Sequence, residues 1–245
     1  MGNLSDKVIL ITGASRGIGA DMAKAFAAQG AQVVVNYASS AAQAEAIVAE
    51  VKQTGGTAIA VKADVSQEAE VKQLFDTTIQ EFGRIDVLIN NAGIMKTITV
   101  KDATEADFDQ QFDINVKGVF FCLREAATKL ADNGIIINFS SSTTKTMFPG
   151  YALYSGTKAA VEQITRVFSK EIGRGISVNA IAPGPTTTEL FLNGKSEELL
   201  ARLASTNAFN RIAAPEDITK VVLFLASDDS KWISGQFIPV NGAMA

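Results

Sequence analysis

The chain reads as one α/β domain built on a doubly wound, mostly parallel sheet, and three observations carry that reading. Short apolar, β-branched runs recur along the whole length, longer amphipathic stretches lie between them, and glycines punctuate the junctions. Apolar runs that do not alternate with polar residues suit strands buried on both faces, as in a parallel sheet between two helical layers.

Seven runs are read as strands: Val8–Ile11, Val33–Val35, Ala58–Val61, Val87–Ile89, Ile135–Asn138, Ser177–Ile181 and Gln236–Val240. Helices are expected over Ile18–Gln29, ending at Gly30, over Ala41–Thr54, ending at Gly55-Gly56, and over Gln67–Phe82, ending at Gly83. In the last of these, Val71, Leu74, Phe75, Thr78 and Phe82 are spaced for one buried face, and Ser66 stands where a cap belongs. The widest interruption is Pro183–Pro215, polar and turn-rich with a short helical stretch over Ser196–Ala204. An excursion of that size in a compact α/β domain reads as a lid or substrate loop, here about residues 184–214. No linker, repeat or low-complexity segment divides the chain, so a single domain over residues 1–245 is expected.

Composition narrows the chemistry. Of 245 residues, 47% are hydrophobic, enough for a sizeable core. A formal net charge of -4 provides no field to attract nucleic acid or anionic lipid. There is no histidine, which excludes Ser-His-Asp triads, Cys-His dyads and histidine-ligated metals. Cys122 stands alone, so no internal disulfide and no cysteine metal site is available, and no metal is expected. Any chemistry falls to Tyr, Lys, Ser, Asn, carboxylates or a cofactor. No apolar run is long enough for a membrane span or a signal segment, so a cytoplasmic protein is expected. Met1-Gly2 opens a myristoylation pattern, but Asp6 occupies the place of its Ser or Thr.

The first chemical feature is Thr12-Gly13-Ala14-Ser15-Arg16-Gly17-Ile18-Gly19, between the first strand and the first helix. Glycines there let the backbone approach a pyrophosphate seated on the amides of a helix N-terminus, although a tight strand-to-helix turn alone would use them too. At the end of the second strand, where NAD-preferring sites place a carboxylate for the ribose hydroxyls, stands Asn36, followed by Tyr37 and Ser39. Arg16 is within reach of a 2′-phosphate, and the nearest downstream carboxylate in sequence is Glu45. This pattern favours NADP(H) over NAD, and an Asn36→Asp exchange is expected to shift that preference; Arg16 as a solvated loop charge is the plainer alternative.

Tyr154-Ser155-Gly156-Thr157-Lys158 opens a helix that continues through Val161, Ile164 and Phe168. Side chains four apart share a helix face, so the Lys158 ammonium is expected near the Tyr154 phenol. A free phenol has a pKa of ~10, and a nearby cation favours its phenolate and draws it toward neutrality. Ser141 follows the fifth strand, at the carboxyl end where active-site groups gather.

With Asp64-Val65, Asn90-Asn91-Ala92-Gly93, Asn115 and Pro183-Gly184 with Thr188, all in this order and spacing, the chain resembles the short-chain dehydrogenases/reductases throughout its length. The resemblance implies a Rossmann-type sheet of strand order 3-2-1-4-5-6-7. It implies Tyr154 as the proton donor to a carbonyl and Ser141 as the group polarising that oxygen. Lys158 would hold the nicotinamide ribose and lower the tyrosine pKa, and Asn115 would anchor a water relaying protons to Lys158. Asp64 and Val65 would face the adenine, and Asn91, Ala92 and Gly93 the adenosine ribose and diphosphate. Pro183, Gly184, Thr186 and Thr188 would border the nicotinamide amide, and hydride transfer would belong to the cofactor.

A pocket wall of Ile94, Met95, Phe148, Tyr151, Leu190, Phe191 and Leu192 suits aliphatic or aromatic ketones and aldehydes more than sugars. Members that act on acyl carrier protein carry basic docking residues; here only Arg124 and Lys129 stand in that region. A small carbonyl substrate is therefore expected, with 3-oxoacyl-carrier-protein reduction as the alternative. A sugar or alcohol dehydrogenase, or a cofactor-binding protein without catalysis, ranks lower. The resemblance also implies a homotetramer, with Phe120, Phe121, Val161 and Phe168 supplying contacts unless they pack on the sheet. Asn241 and Ala243 depart from the family's Asp-Gly-Gly ending.

Overall fold

The structure is a computed structural model that describes residues 4–245. Met1 and Gly2, which open the myristoylation pattern, lie outside the described residues.

Strands β1 (Val8–Ile11), β2 (Gln32–Tyr37), β3 (Thr57–Lys62), β4 (Val87–Asn90), β5 (Ile135–Phe139), β6 (Ser177–Pro183) and β7 (Phe237–Val240) form one sheet. Their order is β3-β2-β1-β4-β5-β6-β7, the expected one. Every pairing is parallel, so the sheet is wholly rather than mostly parallel. All strand connections then have to be crossovers, and helices supply them. These are α1 (Gly17–Ala27), α2 (Ala41–Gln53), α3 (Glu68–Phe82), α4 (Glu105–Phe112), α5 (Gly118–Lys129), α6 (Thr143–Thr146), α7 (Ala152–Glu171), α8 (Glu189–Leu192), α9 (Glu197–Ala204) and α10 (Pro215–Leu225).

Strand geometry divides the core in two. Successive side chains alternate faces, so Ile9, Ile11, Val33, Val35, Ile135 and Ile137 join one cluster with Met22 and Phe26 of α1, Val48 of α2 and Val222 of α10. Leu10, Val34, Leu88, Ile136 and Val178 join the other with Leu74 and Phe75 of α3, Leu123 of α5 and Val161 of α7. Cys122 lies in this second cluster, and burial pushes its thiol up to about 12, which makes it an inert core residue. Val161 is fully buried against the sheet and is not available to a partner subunit, whereas Phe120 is 51% exposed.

Local details depart from the sequence reading. α3 begins after Gln67, and Ser66 does not cap it; its hydroxyl instead accepts from the Gln67 side chain. α1 ends at Ala27, two residues before Gln29, and Gly30 lies beyond it with φ +84. α9 begins after Ser196, whose side chain caps it by accepting from the Leu199 amide. Ala243, where the family pattern has glycine, adopts a left-handed φ of 64.

The excursion after β6 leaves and returns through one neck. The Thr187 amide donates to the Ala213 carbonyl at 2.8 Å, and the Ala213 amide to the Pro185 carbonyl at 3.0 Å. Between these points α8 and α9 contribute no buried residue. Among the described residues, no helix is long and apolar enough to cross a membrane.

Candidate active site

A long cleft runs along the carboxyl ends of the strands, where doubly wound sheets place their ligands. One half lies between β1, β2 and β4. The turn after β1 closes on the segment after β4: a Cβ at Gly13, where φ is +63, would stand 2.8 Å from the Ala92 Cα. The Asn91 amide group ties the two together, donating to the carbonyls of Thr12 and Gly13 at 3.0 and 2.9 Å. α1 begins at Gly17 with no side-chain cap from Arg16 and no acidic residue in its first turn. Its first amides therefore face the cleft without a protein acceptor, and a phosphate fits there.

All the residues proposed for the cofactor from the first strand to the fourth line this half-cleft: Gly13, Ser15, Arg16, Gly17, Ile18, Gly19, Asn36, Tyr37, Ser39, Asp64, Val65, Asn91, Ala92 and Gly93. Two of them make contacts that the sequence did not show. Asn36 is 1% exposed, and its side chain is spent on the scaffold. Its oxygen accepts the Gly13 amide at 3.1 Å, and its nitrogen donates to the carbonyls of Val61 and Ala63. It braces the glycine turn against β3 instead of selecting a ribose substituent. An Asp there would set a carboxylate oxygen against two carbonyls, so the exchange is expected to disturb the turn. Arg16 is the second case. Its guanidinium pairs with Glu189 of α8 at 3.0 Å, a carboxylate 173 residues away in sequence. Asp64 is held by its neighbours, accepting the Ser66 amide while its own amide donates to Glu70.

The other half-cleft lies between β5, β6 and α7 and holds a cavity of about 160 Å³. Ser141, Tyr154, Lys158, Pro183, Gly184, Thr186 and Thr188 line it, as do Met95, Phe148, Tyr151, Leu190 and Phe191. Ile94 lies in the cofactor half instead, and Leu192, 39% exposed, is on neither wall. Ser142, Thr143, Thr146, Leu203 and Met244 also line the cavity and carry no sequence signal. They arrive through the segment after β5, α9 and the segment after β7.

The Ser141 hydroxyl accepts from the Thr143 amide and hydroxyl at 3.3 and 3.1 Å and shares the cavity wall with the Tyr154 phenol. Burial pushes the Tyr154 phenol up to about 12, although the Ser141 hydrogen bond pulls the other way. Burial pushes Lys158 down to about 8. The expected lowering of the tyrosine by the lysine is thus reversed here. Both groups are buried, which penalises phenolate and ammonium alike, and the Lys158 Nζ is spent on the Phe139 carbonyl at 2.8 Å. That Nζ lies 5.9 Å from the centre of the Tyr154 ring.

Asn115 is fully buried in a π-helical turn, Asp113–Lys117, a local widening often found at functional positions. Its oxygen accepts the Ile94 amide, and its nitrogen donates to the Ile94 carbonyl and the Thr157 hydroxyl. The side chain therefore docks the segment after β4 onto α7. Gly93 lies over this junction: a Cβ there would stand 3.1 Å from the Asn115 oxygen and 3.4 Å from the Lys158 Nζ. Asn115, Lys158 and the half-cleft for a dinucleotide therefore meet at one glycine.

Comparisons with known proteins agree with this geometry. A family model described as enoyl-(acyl carrier protein) reductase matches residues 13–244. The chain is 41% identical to an NADPH-dependent aldehyde reductase-like protein, chloroplastic, of Arabidopsis thaliana, over 98% of this chain and 94% of that protein. The structure of a short-chain dehydrogenase/reductase from Serratia marcescens superposes with a TM-score of 0.94 at 34% identity, covering 99% of both chains. That of the angucycline C-6 ketoreductase LanV with bound NADP does so with a TM-score of 0.93 at 37% identity, covering 99% of this chain and 97% of that one. The chain belongs to the short-chain dehydrogenase/reductase family, whose oxidoreductase fold it shares from end to end.

Proposed function

We propose that the protein is an NADP(H)-dependent carbonyl reductase that converts a ketone or aldehyde to an alcohol, with Tyr154 as general acid. The observation that carries this reading is the placement of Ser141, Tyr154 and Lys158 on the wall of one cavity beside the dinucleotide half-cleft. Two hydroxyls on one wall can serve one substrate oxygen. Burial keeps Tyr154 protonated at neutral pH, the form that can donate to a developing alkoxide. Ser141 polarises the same oxygen, and Lys158 supplies a positive group whose charge is easily lost or regained near pH 8. Asn115 holds the segment that brings Gly93 over Lys158.

The amides opening α1 and the glycine turn would hold the diphosphate, and Arg16 a 2′-phosphate once it leaves Glu189. Asp64 and Val65 would border the adenine, and Pro183, Gly184, Thr186 and Thr188 the nicotinamide amide. The bound cofactor supplies the hydride. The excursion over 184–214 acts as the lid.

Reduction of a carrier-bound chain is the second reading, and the surface disfavours it. Arg124 pairs with Glu68 at 2.6 Å, and Lys129 pairs with Asp76 and Glu125 at 2.5 and 2.7 Å. Neither is left to dock an acidic carrier. The apolar groove between α5 and α7, with Phe120, Ile164 and Phe168, supports tetramer formation, and sedimentation as a monomer would overturn that part.

The test is an NADPH-oxidation assay with a panel of aryl and alkyl ketones beside acetoacetyl and enoyl thioesters. Higher kcat/KM on the ketones is expected. A preference for the acetoacetyl thioester selects the second reading, and turnover of the enoyl thioester alone rejects carbonyl reduction.

A further inference from the structure

Outside the catalytic cavity lies a second, larger one of about 780 Å³. The two share Met95, Phe148, Tyr151, Leu190 and Leu203, so a molecule with its carbonyl at Tyr154 extends directly into the outer space. The inner wall is apolar and aromatic, but the outer one is basic. Its charged residues are Arg16, Lys96, Lys195, Arg202 and Glu189. Arg16 pairs with Glu189 and Lys96 with Asp107; with Arg16 turned to a 2′-phosphate, Glu189 would still be outnumbered by Lys195 and Arg202. Lys195 and Arg202 are left with no carboxylate partner among the described residues. In a chain whose net charge is -4, two such cations on one cavity wall are a local reversal of sign.

Lys195 is also held in place. Its Nζ donates to the Phe191 carbonyl at 2.6 Å and lies 4.6 Å from the centre of the Phe191 ring. Phe191 itself lines the catalytic cavity, so this ammonium sits just behind the inner wall. Partial burial without a counter-charge lowers its pKa, the condition an anion would relieve. Arg202, on α9, adds a planar fork suited to carboxylate or phosphate.

We infer that the substrate carries an anionic group, a carboxylate or a phosphate monoester, at the end remote from its carbonyl, and that Lys195 and Arg202 receive it in the outer cavity. This deepens the carbonyl-reductase reading and rests on it for the placement of the carbonyl. It also gives the lid a chemical role, because both cations lie on the excursion and an anion bridging them would draw α9 and the segment after α8 over the substrate.

The test compares three aryl ketones that differ only in the end of a short alkyl tail: carboxylate, phosphate monoester and methyl ester. Dissociation constants are measured by calorimetry on the NADPH-saturated protein, and kcat/KM by NADPH oxidation. One or both anions should bind about tenfold or more tightly than the ester, with the gain in KM. The stronger arm identifies carboxylate or phosphate as the preferred group. In Lys195→Met/Arg202→Met the anion-to-ester ratio should fall to about one, and Lys52→Met, far from the cavity, should leave it intact. Equal binding of all three ketones, or an undiminished ratio in the double variant, overturns the inference and leaves carbonyl reduction standing. Failure to reduce any ketone overturns carbonyl reduction alone, because the calorimetric ratio still decides the anion site.

Discussion

The catalytic wall and the lid border one cavity but are built on opposite terms. On the wall, Asn115, Tyr154 and Lys158 are 0%, 9% and 4% exposed, and hydrogen bonds to packed elements fix Asn115 and Lys158. On the lid, α8 and α9 bury nothing, and Leu190, Leu192 and Leu199 are 45%, 39% and 40% exposed. Acid–base groups whose protonation must be displaced from its aqueous value have to be dry, and dryness comes only from a packed scaffold. Groups that meet the variable part of a substrate need room to move, and loosely packed segments open at low free-energy cost.

Changes on the wall should therefore alter chemistry and stability, and changes on the lid should alter binding alone. The largest effect is expected from Tyr154→Phe. Removing the proton donor should lower kcat by about 10³-fold or more while NADPH binding persists; retained turnover would remove Tyr154 from the mechanism. Asn36→Asp comes next. It sets a carboxylate against the Val61 and Ala63 carbonyls and should cost about 3 kcal/mol, or about 10 °C in Tm. A stable variant with a switched cofactor preference would contradict the bracing role.

The third test uses pH. Lys158 has a folded pKa of about 8 against 10.5 as its ordinary value, so between these values the unfolded chain binds the extra proton. Stability from this group is then absent below pH 8 and gained as pH rises toward 10.5. Lys158→Met loses that dependence. Its stability relative to the parent should be highest near pH 7 and fall by about 3 kcal/mol toward pH 10; denaturant titrations across this range that show a constant difference would disprove the buried, depressed ammonium. With no histidine in the chain, an activity limb near pH 8 belongs to this site or to the substrate.

The smallest effect belongs to the lid. The Arg16–Glu189 pair is solvent-exposed on both sides, and such pairs contribute little. Glu189→Gln should leave Tm unchanged and lower the KM for NADPH by under about threefold, with a smaller change for NADH. A large loss of stability would show the lid to be as tightly built as the wall.

Much of this molecule was legible in its sequence. The strand order followed from the resemblance, and the residues that line the first half-cleft were legible because they lie at the ends of strands that alternate with helices in a regular way. Tyr154, Lys158 and Ser141 were marked by spacing on one helix and the strand before it. What spacing could not show was where side chains spend their hydrogen bonds. Asn36 looked like a cofactor selector because the Val61 and Ala63 carbonyls that take its side-chain nitrogen are invisible from position 36. Val161 looked like an interface residue because one amphipathic stripe does not say which layer covers it.

Periodicity and short motifs, which are local, together with the family resemblance they carry, were enough to read the architecture, the dinucleotide cleft and the candidate acid–base groups. Only tertiary structure decided the reversed tyrosine pKa, the meeting of Arg16 with Glu189, and the pairing of an apolar inner cavity with a basic outer one. These depend on burial and on distances between residues far apart in the chain, and both arise only when the lid and the sheet are brought together.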